Sequence, residues 1–115
     1  MALTRSFRET VARRARESVE FRAALVEEAG GNILRGDIEV AVGQLRDVVN
    51  ATMGFDALAT ETGIGKTSLM RMLGPKGNPR ADNLGAILRA VGKHAGVRLT
   101  AHAELAPKER NLEDA

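Results

Sequence analysis

The sequence has no cysteine, tryptophan or tyrosine, and only three phenylalanines among its 115 residues. Without cysteine there is no disulfide framework, no thiolate metal site and no thiol nucleophile, which fits a reducing compartment such as the cytoplasm. So few aromatic rings leave almost no platform for stacking exposed bases, and single-stranded nucleic-acid recognition starts at a disadvantage. Charge of one sign is also missing. With 17 basic residues against 15 acidic ones, any preference for a charged partner must come from local clustering. Apolar runs are only a few residues long, far short of the roughly 20 needed to cross a bilayer. Residues 1–16 are rich in arginine, serine and threonine, as organelle-targeting leaders are, but Glu9, Glu17 and Glu20 recur through and just past them, and no apolar stretch accompanies them. The segment reads as structure, and the chain as a cytoplasmic protein with no membrane partner.

What is present is helical periodicity over a length that suits one domain. Ser6 and Glu9 have capping-box spacing, and Phe7, Val11, Ala15 and Val19 follow every four residues. Ser18 is a second cap candidate, ahead of Phe21, Leu25, Ala29 and Ile33. Gly30-Gly31 is expected to bend or break that helix. Gly36 reads as a helix stop and Asp37 as the cap of the next helix, whose face is Ile38, Ala41/Val42, Leu45, Val48/Val49 and Thr52, with Gly54 ending it. Two short helices, 55–62 and 66–73, flank Gly63-Ile64-Gly65. The breaker-rich segment 74–79 precedes a last helix with Leu84, Ile87/Leu88 and Val91 inward, closed by Gly92 and Gly96. Residues 97–102 alternate apolar and polar as a half-buried strand does. A lone strand needs a partner, either the same strand of a second subunit across a two-fold axis or none, as a frayed tail. Residues 103–115 carry mixed charges and Pro107 and read as a solvated tail beyond a single domain, 1–102.

The stretch 55–74 has the most physical content. Two helices that cross closely need a small residue at their approach, and Ala59 supplies it. Four positions later their turn needs a residue that accepts positive φ, and Gly63 supplies that. Ile64 is the apolar plug after the turn, and Leu58, Leu69 and Met72 fill the inward positions. This is the 20-residue spacing of a DNA-binding helix-turn-helix; an ordinary helical corner would demand less. On that geometry Lys66, Thr67, Met70 and Arg71 point outward. Lys66 and Arg71 suit guanine O6 and N7, Thr67 suits a base edge or a thymine methyl, and Ser68 a phosphate. Lys76, Asn78 and Arg80 in the following loop suit backbone phosphates, which fix register without reading sequence. Residues 61–80 hold four of these bases against Glu61 alone, a local +3 in a chain of +2.

Three other sites fail. Gly63-Ile64-Gly65-Lys66-Thr67-Ser68 looks like the end of a phosphate-binding loop, but the motif's first glycine would fall on Thr60, and no buried strand precedes it. His94 and His102 stand across a glycine and a change of structure with no thiol to help, so no metal is expected. No nucleophile, base and orienting acid are set out together, and neither an enzyme nor a cofactor is expected.

The helix-turn-helix and the helix after it resemble the lambda-repressor-like (XRE-type) family. More narrowly, Thr4-Arg5-Ser6-Phe7-Arg8-Glu9-Thr10-Val11, Glu20-Phe21-Arg22-Ala23-Ala24-Leu25, Arg35-Gly36-Asp37 and the run Ser68-Leu69-Met70-Arg71-Met72-Leu73-Gly74-Pro75-Lys76-Gly77-Asn78-Pro79 resemble addiction-module antidote proteins, the HigA-like antitoxins. The similarity runs over roughly residues 3 to 101 and is most specific in the last of these segments. It implies an antitoxin that neutralises a small cognate toxin, typically a ribosome-dependent mRNA-cleaving one, and that represses its own operon as a homodimer on a palindromic operator. By match to the motif, Lys66, Thr67 and Arg71 would read bases. Gly65 departs from the pattern, standing where related helices often carry a serine or threonine cap. Gly30-Gly31 departs too, in a helix that is usually more regular.

The expectation is therefore an all-α, lambda-repressor-like domain with added N-terminal helices and a short C-terminal strand paired across a dimer. Its function would be that of a repressor and antitoxin on double-stranded DNA. The rivals are a stand-alone regulator and an interaction module that has lost DNA binding.

Overall fold

A computed structural model describes residues 5–107, and the described residues form six helices and no strand. They are α1 (Arg5–Glu17), α2 (Val19–Arg35), α3 (Ile38–Ala51), α4 (Gly54–Thr62), α5 (Lys66–Met72) and α6 (Ala81–Ala95). The all-α architecture follows the sequence pattern. None of these helices is long and apolar enough to cross a membrane.

Helix α3 sits at the centre, packed against α1, α2, α4 and α6. Its face Ala41, Val42, Leu45, Val48 and Val49 is fully or almost fully buried, as the periodicity predicts. Leu58 of α4, Leu69 of α5, Leu73 just past it, and Ile87 and Val91 of α6 complete the core with Val26 of α2. Burying each such side chain is worth about 1.5–3 kcal/mol. The α2–α3 contact also holds Asn32, the one buried polar residue among the described residues, which donates to Gln44 Oε1 at 2.9 Å and accepts from Arg35 at 2.7 Å.

Local signals decide several ends. Ser18 separates α1 from α2, and its Oγ accepts the Phe21 N–H at 3.0 Å. Gly36 and Gly96 close α2 and α6 with φ of 86° and 74°, values that favour glycine. Asp37 occupies the cap position of α3, but its side chain makes no capping bond. Helix α3 ends at Ala51, before Gly54: Thr52 leaves the helical conformation with φ −116° and ψ −88°, and its hydroxyl donates to the Val48 carbonyl at 2.7 Å. Gly54 instead begins α4.

Elsewhere the structure corrects the pattern. Ser6 does not cap α1: Arg5 is already helical, and the Ser6 carbonyl accepts the Thr10 hydroxyl at 3.0 Å, so the cap position lies outside the described residues. Of the stripe Phe7, Val11, Ala15 and Val19 only Ala15 is buried, while Phe7 is 51% exposed and Val19 starts α2. A strict spacing of four drifts by about 40° per step around a 3.6-residue helix, so the ends of the stripe turn away from its middle. Gly30-Gly31 does not break α2, which runs as one helix from Val19 to Arg35. Gly30 is buried, and Leu99 of the C-terminal segment lies across it.

That same segment carries the largest departure. Residues 97–107 have no regular structure, and the strand expected over 97–102 does not form within the chain. A strand needs a ladder partner, and here the Val97 N–H is already donated to the Gly92 carbonyl at 2.9 Å. Gly92 does not end α6 but lies buried within its last turn, where a Cβ would come 2.7 Å from the Val97 carbonyl oxygen. The tail predicted from 103 onward is exposed through Pro107, and residues 108–115 lie outside the described residues.

The two glycines under this segment should respond differently to alanine. At Gly92 the new methyl meets backbone, and overpacking of this kind costs about 1–3 kcal/mol. At Gly30 it meets only the end of the Leu99 side chain, at 2.9 Å, which can rotate away, while the helix gains up to about 1 kcal/mol in propensity. Thermal unfolding should therefore show Gly92→Ala clearly destabilised, with faster amide exchange at Val97, and Gly30→Ala close to the parent.

Candidate nucleic-acid interface

Helices α4 and α5 meet through three residues. Gly63, with φ 74°, donates its N–H to the Ala59 carbonyl at 2.9 Å. The Thr62 hydroxyl donates to the Leu58 carbonyl at 2.8 Å and accepts the Ile64 N–H at 3.2 Å, pinning the turn at its first step. Ile64 packs against the core and Leu58 is fully buried, as expected of a plug and an inward anchor. Gly65 takes the cap position of α5 in an extended conformation and has no side chain with which to cap it.

Under α5 the deep pair is Leu69 and Leu73, both fully buried, while Met72 is only half-buried. Four residues return closer to the same side of a helix than three do, so Leu73 outranks the expected Met72. A further restraint was missed in the sequence: Arg46 of α3 donates to the Leu73 carbonyl at 3.0 Å. The signal that could have found it is general, since carbonyls at a helix end have no partner inside the helix and a nearby arginine is a common donor.

With its inner side fixed, α5 exposes Lys66, Thr67, Met70 and Arg71, and Ser68 is half-buried. The following loop turns back on the helix end: Gly74 donates to the Arg71 carbonyl at 3.1 Å and Gly77 to the Gly74 carbonyl at 2.9 Å. The result is a shallow concavity of about 860 Å³ whose wall includes Met70, Arg71, Lys76, Asn78, Arg80 and Asn83. Four of the seven expected contact residues, Arg71, Lys76, Asn78 and Arg80, thus line one surface. Lys66, Thr67 and Ser68 lie outside it, at the other end of α5. Asn83, from the first turn of α6, joins the group without having been expected.

Charge pairing differs from a count along the chain. Glu61, the one acid within 61–80, is engaged by Lys93 of α6 at 2.9 Å, with His94 at 3.8 Å. The hydrogen bond and charge of Lys93 hold its carboxyl below the ordinary glutamate value. Acids from just outside that window then take two of the bases: Asp56 pairs with Lys66 at 3.0 Å, and Asp82 with Arg80 at 3.5 Å. The Arg71 and Lys76 side chains have no hydrogen-bond or ion-pair partner among the described residues.

The element ahead of Gly63-Ile64-Gly65-Lys66-Thr67-Ser68 is helix α4, not the strand a phosphate-binding loop requires. The two histidines face different carboxylates, Glu61 for His94 and Glu104 for His102. No group of three or more metal-ligating side chains occurs among the described residues.

Gly77 decides the shape of the concavity. A Cβ there would overlap the Met72 carbonyl, which is backbone and cannot swing aside. Gly77→Ala should lower stability by about 1–3 kcal/mol and shift the backbone amide resonances of residues 74–80 while leaving those of α2 in place, as a two-dimensional NMR spectrum would show. No protein-family model matches the chain, and neither a curated protein nor a solved structure matches it significantly.

Proposed function

We propose that this chain is a sequence-specific DNA-binding repressor in which α4 and α5 form a helix-turn-helix, working as a homodimer and as the antitoxin of a toxin–antitoxin pair in the cytoplasm. The observation that carries the DNA reading is the pair Arg71 and Lys76, cations without a partner among the described residues, on a helix and loop whose backing is buried. In this reading the N-terminal part of α5 enters the major groove, Lys66, Thr67 and Arg71 meet base edges, and Ser68, Lys76, Asn78 and Arg80 hold phosphates. Lys66 first leaves Asp56. Both partners are at least half exposed, and exposed pairs of this kind are worth only about 0–1 kcal/mol, so a phosphate or a guanine edge competes readily.

Residues 97–102 are the proposed dimer contact, each pairing as a strand with the same segment of a second copy. From Arg98 onward the segment is exposed, which suits that role. A two-fold dimer would place its half-sites about one helical turn, roughly 10 bp, apart. The antitoxin assignment rests on the family resemblance, and co-purification with a small basic protein encoded beside this chain tests it.

The primary experiment is a titration against DNA from the chain's own promoter beside a scrambled duplex, both at about 150 mM salt. Specific binding should exceed non-specific binding by about 10³ or more, with a two-fold footprint. Equal, weak binding to both duplexes sinks the repressor reading and favours a module that only masks a partner. Arg71→Ala should cost about 1–3 kcal/mol and relax preference at one base position. Asp56→Asn should tighten DNA binding several-fold, because it frees Lys66 and removes a carboxylate from the phosphate path, with little change in melting temperature. If Asp56→Asn weakens binding, the docking is wrong.

A further inference from the structure

Resting on the DNA-binding reading, we propose that α1 and α3 carry a second phosphate-binding track, formed by Arg5, Arg8 and Arg46, that takes the backbone of duplex DNA flanking the site read by α5. A second depression, about 680 Å³, lies between these helices and is lined by the three arginines together with Glu9, Asp47 and Asn50. Pro75 belongs both to its wall and to that of the concavity beside α5, so the two surfaces adjoin. Arg46 ties them mechanically, since its guanidinium donates to the Leu73 carbonyl two residues before Pro75.

The charge distribution separates this side from the rest of the molecule. Together the two depressions are lined by six of the 15 basic residues among the described ones but two of the 12 acidic ones; with Asp82, the partner of Arg80, counted in, this side carries +3 and the remaining described residues carry no net charge. One of those acids, Asp47, is withdrawn. Its side chain is 16% exposed while that of Arg8, 3.4 Å away, is 40% exposed. Arg5 is exposed and has no partner among the described residues. Arg46 spends one N–H on Leu73 and keeps the remaining donors of its five.

The chemistry of the lining selects the ligand. Among the described residues Ala12 and Pro75 are its only apolar members, and protein partners are usually anchored by buried aromatic or aliphatic side chains. A shallow surface of guanidinium groups with almost no apolar anchor suits a phosphodiester backbone, where arginine makes forked contacts without reading sequence.

The test is fluorescence anisotropy of the full chain with a labelled mixed-sequence duplex of about three helical turns, at about 50 to 200 mM salt. Arg5→Gln removes an exposed cation. Arg8→Gln with Asp47→Asn removes the ion pair as a unit, leaving net charge unchanged and no half-buried carboxylate stranded. Each variant should make the slope of log affinity against log salt shallower by about 0.9, the value for one lost phosphate contact, and should bind several-fold more weakly at about 100 mM salt. Circular dichroism should show parental helix content. If both variants keep the parental slope while Lys76→Ala lowers it, the track is overturned and the DNA reading stands. If the parent itself shows no salt-dependent binding, both fall. Loss of binding to poly-glutamate with DNA affinity intact would reassign the surface to an acidic polypeptide and overturn the proposal.

Discussion

The other elements depend on how α3 is buried. Its apolar face is enclosed by α2, α4 and α6, and the polar residues flanking that face reach outward to the remaining parts. Gln44 bridges to Asn32 and Glu28 of α2, Asp47 accepts from Arg8 of α1, and Arg46 reaches the end of α5. Asp47 bears a cost for this. Burial raises its pKa above the ordinary aspartate value despite the opposing pull of Arg8 and Arg46, so the Arg8 contact orients α1 more than it stabilises the fold. Arg22 does comparable work at the far side of α2, donating to the Ala15 and Arg16 carbonyls of α1 and to the Ala95 carbonyl of α6. One guanidinium thereby satisfies the ends of two helices that would otherwise leave carbonyls without donors.

A seven-residue helix has little stability of its own, because nucleation costs more than so few hydrogen bonds return. Helix α5 therefore exists because Leu69 and Leu73 are buried beneath it and because the loop at its end is locked by Gly77 and Arg46. The consequence for function is rigidity. Exposed side chains on a helix held this way have a fixed origin, and binding then requires ordering of the side chains alone rather than of the backbone as well.

How much of this was legible follows from the range of the forces involved. Ser18, Gly36, Gly63 and Gly96 were readable because each is decided by atoms within one turn of chain. The face of α3 was readable because one repeated pattern runs through the whole helix. Gly30-Gly31 misled because local propensity loses when a glycine is covered by Leu99 from some 70 residues away, a contact no local pattern contains. The segment 97–102 was legible only in part: alternation describes which sides of a chain are wet but supplies no ladder partner, and within the chain the Val97 N–H goes to Gly92. In the candidate site the residue types and the exposed side of α5 were legible. The pairing of Lys66 with Asp56, the role of Arg46 and the place of Asn83 depend on tertiary neighbours and were not.

A near-neutral chain can still hold a strong local field if its charges are sorted. Between exposed charges, salt at about 0.1 M screens interactions beyond about 10 Å, so a net charge of +2 exerts little pull at a distance. What reaches a polyanion is the charge within a few ångströms of it. That makes the fate of each carboxylate more informative than the total: Glu61 is held by Lys93 and Asp47 is drawn back against Arg8, while Arg71 and Lys76 keep their charge free at the surface. Such an arrangement suits discrimination more than bulk attraction. In the proposed complex with DNA, weak long-range attraction would keep non-specific association low, and affinity would depend on those few cations fitting a particular phosphate and base geometry.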